Sequence, residues 1–453
     1  MMNKKKYFLL TLMAIASLAV AGQRKETNTA TQGMAAVGIM PHLSDSQLLD
    51  VVQKQTFRYF WNFAHPISGM ARERSNEAYG YGNEVVTTGG TGFGAMATIV
   101  AVNRGWIGRD TAARHLLKMV RFLYKAQSYH GAFPHWLNGA TGTTIPFGRK
   151  DDGADLVETA YLMQGLLCVR QYFNRQNPEE NDLRNLITGL WNDVEWNWFT
   201  KNGEEVLYWH WSPNNGWAMN FPVRGFNECL IMYVLAASAD KYSVPAAVYH
   251  RGWAQSNFFK NGKEFYGISL PLGFDYGGPL FFSQYSFLGL NPKGLKDEYA
   301  DYWVQNTHHT LINRAHCLRN PNGFKGYGDS CWGLTASDTY NGYDAFSPTN
   351  DHGTITPTAA LSAFPYTPEY SMKALRHFYE DLGPKIWGEY GFTDAFNLTQ
   401  NWYAKSYLAI DQGPIVVMIE NYRSGLLWNL FMQIPEIQQG LKKLGFETAA
   451  NEK

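Results

Sequence analysis

Between residues 45 and 448 the chain repeats one theme: an apolar segment at helical spacing, a loop rich in aromatic residues and glycine, then another apolar segment. Helices are predicted over 110–127, 155–173, 183–199, 226–239, 244–256, 296–317, 368–379 and 414–431, and the period-two alternation of strands is scarce. Ser44, Asp45 and Ser46 supply caps for an earlier helix through Leu48, Leu49, Val52, Phe57 and Phe60. No linker, charge run or low-complexity stretch divides the span, so residues 44–448 are expected to form a single domain. Paired helices with their loops gathered at one end fit an all-α toroid of inner and outer helices, an (α/α) barrel. An elongated solenoid would show a repeat period, and none is present. The stretch 72–94, rich in Gly, Asn and Thr, reads as a loop whose glycines, from Gly89 to Gly94, turn into a helix over 95–103. No Gly-Lys-Ser/Thr follows them, so they do not make a phosphate loop.

Before this domain, Lys4-Lys5-Lys6 precede an apolar run from Tyr7 to Val20, and Ala19-Val20-Ala21 offers a cleavage site. Residues 1–21 are therefore expected to be a signal peptide and 22–43 a flexible leader. The run is too short to span a bilayer, and no cysteine lies near the cleavage site to carry a lipid. The expectation is a periplasmic or secreted protein with no stable membrane insertion. Of the four cysteines, Cys168 and Cys229 sit in apolar helical runs, and only Cys317 and Cys331 are candidates for a bridge.

Acids gather in Asp151-Asp152-Gly153-Ala154-Asp155-Leu156-Val157-Glu158-Thr159-Ala160-Tyr161. If this stretch opens a helix, Asp151, Asp155 and Glu158 stand at i, i+4 and i+7 and, at about 100° per residue, share one face. Acids in a first turn are also ordinary helix-start residues. Like charges so close raise at least one pKa, however, which is how a general acid is made. Glu228 precedes an apolar helix and either pairs with Arg224 or acts chemically. Asp411, in Ile410-Asp411-Gln412-Gly413-Pro414, either caps a helix starting at Pro414 or acts chemically.

The segments from Arg224 to Leu230, Asp151 to Tyr161, Gly92 to Gly94, Tyr390 to Asn397 and Ile410 to Trp428 resemble the glucoamylase-like domain of glycoside hydrolase family 144. The resemblance runs from roughly residue 45 to 445, and its last segment is specific. It implies an (α/α)6 barrel and, for characterised members, inverting hydrolysis of β-1,2-glucan; the family label does not imply action on starch. It also implies that Asp151, Asp155, Glu158 and Glu228 line the cleft and that Asp411 is a further cleft acid. Inversion needs a protonated acid and a water-activating carboxylate about 6.5–9.5 Å apart. Neighbours on one helix face lie closer, so the pair is expected to be split. One member would come from the Asp151–Glu158 cluster or Glu228, and the other, with Asp411 the leading candidate, from across the cleft. Glu158, deepest in its helix, is the cluster member expected to be most desolvated.

Charged residues make up only 17% of the chain, the net charge is zero and aromatics reach 15%, which argues against nucleic acid as a partner and suits a sugar-binding protein. Trp136, Trp217, Trp332, Tyr343 and Trp402 are the candidate sugar platforms, and Trp196, Trp198 and Trp428 are assigned to the core. His308, His309 and His316 lack a third ligand or a His-Glu-x-x-His pattern, so no metal is expected. No cofactor fingerprint is present. The competing functions are an α-glucan hydrolase of the glucoamylase kind, a hydrolase of another β-glucan, and a glycan-binding protein without catalysis. A polysaccharide lyase would call for a more basic chain.

Overall fold

The structure, a computed structural model, describes residues 33–76 and 82–448; the expected signal peptide lies outside the described residues. The helices that organise it are α1 (Asp45–Asn62), α2 (Thr88–Asn103), α3 (Arg109–Leu123), α4 (Leu156–Tyr172), α5 (Pro178–Asp193), α6 (Leu230–Ser238), α7 (Tyr302–Arg319), α8 (Pro357–Leu361), α9 (Pro368–Arg376) and α10 (Ala409–Ser424). Their sequences sort them into two layers. Residues 156–169 of α4 and all of α6 are buried without a break. Helices apolar on every side must be surrounded. By contrast α3 buries one stripe, through Ala112, Leu116, Val120 and Leu123, and takes the outside.

In the inner layer α2 packs on α4 and α10, α4 on α6, and α8 on α10. Two 3₁₀ turns, Leu280–Ser283 and Ser286–Leu288, complete the ring. They are tied to α4 by Gln164 Nε2 donating to Tyr285 O at 3.1 Å, to α6 by Ile231 N donating to Ser286 Oγ at 3.0 Å, and to α8 by Gln284 Nε2 donating to Ala359 O at 2.9 Å. The order around the axis is thus α2, α4, α6, residues 280–288, α8, α10, which sets α6 opposite α10. This is the all-α (α/α)6 toroid. Strands are short and antiparallel, in pairs apart from one three-stranded sheet, and no helix among the described residues is long and apolar enough to cross a membrane.

Several local expectations change. The glycines from Gly89 to Gly94 lie inside α2, not in a loop before it. A Cβ on Gly92 would stand 2.2 Å from the carbonyl oxygen of Tyr161, and one on Gly165 would stand 2.1 Å from that of Gly92. Glycine is there so that the backbones of α2 and α4 can touch. The predicted helix 183–199 ends at Asp193 and is followed by a separate 3₁₀ turn, Trp196–Thr200; 244–256 holds a π-helical turn, Val248–Ala254. The helix expected from Pro414 starts at Ala409 and breaks at Gly425, whose φ is 69°. The last part of the expected leader is tied down: Met34 N donates to Asn62 Oδ1 at 3.0 Å, Val37 N to Gln55 Oε1 at 3.1 Å and Met40 N to Tyr379 OH at 2.9 Å. All four cysteines are buried free thiols, so Cys317 and Cys331 are not bridged.

Candidate active site

The N-terminal ends of the inner helices converge on one cavity of about 190 Å³. Partial positive charge at helix starts favours carboxylates there, and acids are what the chain supplies. Asp155 is the N-cap of α4, accepting from Glu158 N at 2.9 Å. It also accepts from His135 Nδ1 and from Trp209 Nε1, each at 2.9 Å. Burial opposes its charge, but the bond from His135 and the field of that ring outweigh burial and hold it below the usual carboxylate range. For His135 burial likewise opposes charge, yet Glu158, Asp155 and Asp151 push it up to about 9, so at neutral pH it is an imidazolium. Asp151 lies in the loop before α4, not on the expected helical face, with an oxygen 3.4 Å from His210 Nε2; burial, then Asp155, pushes it up to about 7. Ligand-capable atoms of His135, Asp151 and Asp155 lie within 4.8 Å of one another, but the His135–Asp155 hydrogen bond and the charge on His135 account for that cluster as an ion-paired network.

Glu158 stands in the first turn of α4 and accepts from Gly89 N at 2.7 Å, which fixes its carboxylate against the start of α2. A Cβ at Gly89 would sit 2.5 Å from that oxygen. Burial raises Glu158 despite the neighbouring imidazolium. Glu228, just before α6, lines the same cavity. The expected pair with Arg224 is not made, because Arg224 Nη1 turns to Gly252 O at 3.1 Å. Oε2 of Glu228 therefore has no hydrogen-bond partner, and burial, reinforced by Glu158, pushes the carboxyl up to about 7.

Across the ring Asp411 lies in the first turn of α10. It does not cap a helix from Pro414; no N–H group reaches its oxygens, and its carboxyl is hydrogen-bonded to that of Asp394. Burial, then the Asp394 charge, pushes Asp411 well above the carboxylate range, and Asp394 itself stands at about 7. The pair shares a proton. Behind it Asp338 donates its backbone N–H to Asp394 Oδ2 at 2.7 Å and receives Arg74 Nη1 at 3.0 Å. Arg74 also bonds Glu73, and both line the cavity.

Of the aromatic candidates, Trp136 and Tyr343 reach the cavity wall, together with Tyr161, Trp209, Phe281 and Tyr285. Trp217 packs in a separate cluster with Tyr208 and Trp198, and Trp402 pairs with Asn397 on a short hairpin; neither lines the cavity. Trp332 is fully buried in the core, because residues 331–334 are tethered to α7 by the two hydrogen bonds between Asn313 and Leu334. Trp196 and Trp428 are buried as assigned, but Trp198 is 37% exposed and stacks on His130. The three-residue period of its 3₁₀ turn sends Trp196 and Phe199 inward and Trp198 out. His308, His309 and His316 each bond ordinary partners, Ser269 O, Ser283 Oγ and Asp351 Oδ2. Sequence reasoning missed Glu73, Arg74, Asp338, Asp394, Tyr161 and Tyr285; of these, Asp394 and Tyr161 carried a signal, inside the segments from Tyr390 to Asn397 and from Asp151 to Tyr161.

The Glycoamylase family model, described as "Putative glucoamylase", matches residues 220–435. A Bacteroides uniformis structure described as a "putative glucoamylase" is 60% identical, with a TM-score of 0.88, over 90% of this chain and 99% of its own. An endo-β-1,2-glucanase from Chitinophaga pinensis, solved with sophorotriose and glucose, is 56% identical over 90% of this chain and 99% of its own, also with a TM-score of 0.88. The chain belongs to glycoside hydrolase family 144. An exo-β-1,2-glucooligosaccharide sophorohydrolase from Parabacteroides distasonis is 45% identical over 423 residues, 89% of this chain. The chain spans 58% of the length of that curated relative. In this family 144 protein Glu228, just before α6, and Asp411, at the start of α10, come from opposite sides of the ring, with the acids of α4 beside Glu228.

Proposed function

We propose that this protein is an inverting glycoside hydrolase that cleaves β-1,2-linked glucan internally. The observation that carries the reading is Glu228: a buried carboxyl pushed up to about 7, one oxygen unbonded, in a cavity shared with Glu158. It keeps its proton up to near neutral pH, and the unbonded oxygen is free to present it. Glu228 is the general acid, protonating the glycosidic oxygen as the bond breaks. Asp411 is the general base. It comes from the opposite side of the ring, beside the cavity-lining Ile410, its carboxyl meets that of Asp394, and it activates the attacking water. The proton shared with Asp394 leaves one negative charge on the pair to accept the proton of that water. Glu158, with Oε2 already committed to Gly89, and Asp151 hold sugar hydroxyls, while Trp136 and Tyr343 offer rings to pyranose faces.

The β-1,2 linkage follows the activities of the Chitinophaga and Parabacteroides relatives, and endo action follows the former, which matches at 56% identity over nearly its whole length. Export to the periplasm or medium is proposed from the N-terminal sequence. The test is product analysis on linear β-1,2-glucan, β-1,3-glucan and starch, with optical rotation followed in time. Short oligosaccharides of mixed length from β-1,2-glucan alone, with the anomer inverted, are expected. Release of sophorose only, from the first minutes, would establish exo action instead. No product from any glucan would sink the catalytic assignment.

A further inference from the structure

The cavity is small. At about 190 Å³ it lies below the roughly 300–1,000 Å³ of pockets that enclose a whole ligand, so a glucan chain must run out of it across the surface. A continuous set of rings leaves the cavity in one direction. Phe281, on the cavity wall, stacks on Tyr285 with centroids 5.1 Å apart and meets Phe282 at 4.8 Å. Phe282 meets Phe274 at 6.3 Å, and Phe274 stacks on Phe258 at 5.1 Å.

The outer end of this set is expensive to maintain. Phe258 is 64% exposed and Phe274 39%. Phe258 also holds φ at 65°, a left-handed conformation disfavoured for a bulky side chain. A glycine or asparagine would turn the chain there at lower cost. The backbone at Phe258 is fastened to the loop of the general acid: Phe226 N donates to Phe258 O at 3.3 Å, and a Cβ on Gly225 would stand 3.3 Å from Phe258 Cβ. Beside the rings Asp275, Lys263 and Asn261 form an exposed polar cluster, with Lys263 Nζ and Asn261 Nδ2 at 2.9 and 3.1 Å from Asp275 Oδ1. Flat apolar faces flanked by polar groups suit a sugar, whose C–H face stacks while its hydroxyls meet the rim. The patch carries both signs of charge, which gives no basis for an acidic or basic macromolecular partner.

We propose that Phe258 and Phe274 form a distal platform for the glucose units of the glucan chain that extend beyond the cavity. It rests on the glucanase reading above and adds to it the direction in which the chain leaves. Each ring lost should weaken binding of a long chain several-fold, on the scale of one aromatic contact, roughly three- to tenfold.

The test compares wild type with F258A, F274A and the double variant on β-1,2-glucooligosaccharides of increasing length. The expected result is a fall in kcat/KM that grows with the number of glucose units and is carried by KM. A loss of equal size at every length, or none at any length, overturns the platform. Binding is measured separately by migration in gels containing linear β-1,2-glucan, where retardation of wild type should be relieved in the double variant; equal retardation also overturns it. Wild type that cleaves no glucan yet is retarded, with retardation lost in the double variant, overturns the glucanase reading and upholds the platform. F258G, which keeps the turn and removes the ring, should behave as F258A and excludes a folding defect.

Discussion

Replacing Glu228 by Gln should make the protein less active and, at high pH, more stable. Burial first, then Glu158 and Asp155, pushes this carboxyl from its ordinary 4.5 up to about 7. Between those values the folded chain keeps a proton that the unfolded chain has released, so stability falls as pH rises, by up to about 1.4 kcal/mol per unit. Integrated from pH 4 to pH 8, the single group costs about 3 kcal/mol. Below about pH 4.5 the carboxyl is protonated in both states and the cost vanishes. A Gln at 228 cannot ionise, so the E228Q advantage over wild type should grow by about 3 kcal/mol over the same interval. The fixed cost of an amide in place of an acid cancels in that difference. Asp151 and Asp394, also near 7, are present in both proteins and cancel as well. For a chain of this length the change corresponds to about 4 °C in the melting temperature. Thermal melts of both proteins from pH 4 to pH 8 measure it. Melting curves that stay parallel across the range would refute the premise that Glu228 is held protonated by burial.

The same group sets the alkaline limb of activity: kcat/KM should fall about tenfold per unit above pH 7, and E228Q should lose about 10² to 10⁴ in kcat with no such limb. Asp394→Asn removes a charge that pushes Asp411 up, so the base should stay ionised to lower pH and the acid limb of the rate profile should move down; an unmoved acid limb would count against Asp411 as the base. Gly92→Ala would place a Cβ 2.2 Å from the Tyr161 carbonyl oxygen, where backbone meets backbone. Overpacking of about 1–3 kcal/mol or more exceeds the helix-propensity gain of about 1 kcal/mol, so melting should occur at lower temperature; an unchanged melting temperature would contradict the close α2–α4 approach.

What could be read in the sequence, and what could not, follows from how far each signal reaches along the chain. The unbroken apolar runs of α4 and α6 are local, and by themselves they place those helices inside. The acids at their starts are local as well. The geometry around them is not: Asp151, expected one turn back on the same helix, leaves the helix because Asp155 takes the N-cap, yet it returns to the cluster through His210, paired with Asp155 in register from a strand more than fifty residues on. Of the second acid group the sequence marks Asp411 as a cleft acid but not its partnership with Asp394 and Asp338, for the same reason. Asp338, Asp394 and Asp411 come from three separate stretches of chain, and only the closed ring brings them to one point. Glu228 shows how the two kinds of information combine. Its residue type and place before an apolar helix made it a candidate, with pairing to Arg224 the bland alternative. The alternative fails because Arg224 bonds the backbone at Gly252, on the turn behind it, and that one diversion leaves an acid buried, with one oxygen unbonded and its carboxyl pushed up to about 7. The instability stored there is the condition for its chemistry, since a Glu228 paired with Arg224 would be ionised at neutral pH and could donate nothing.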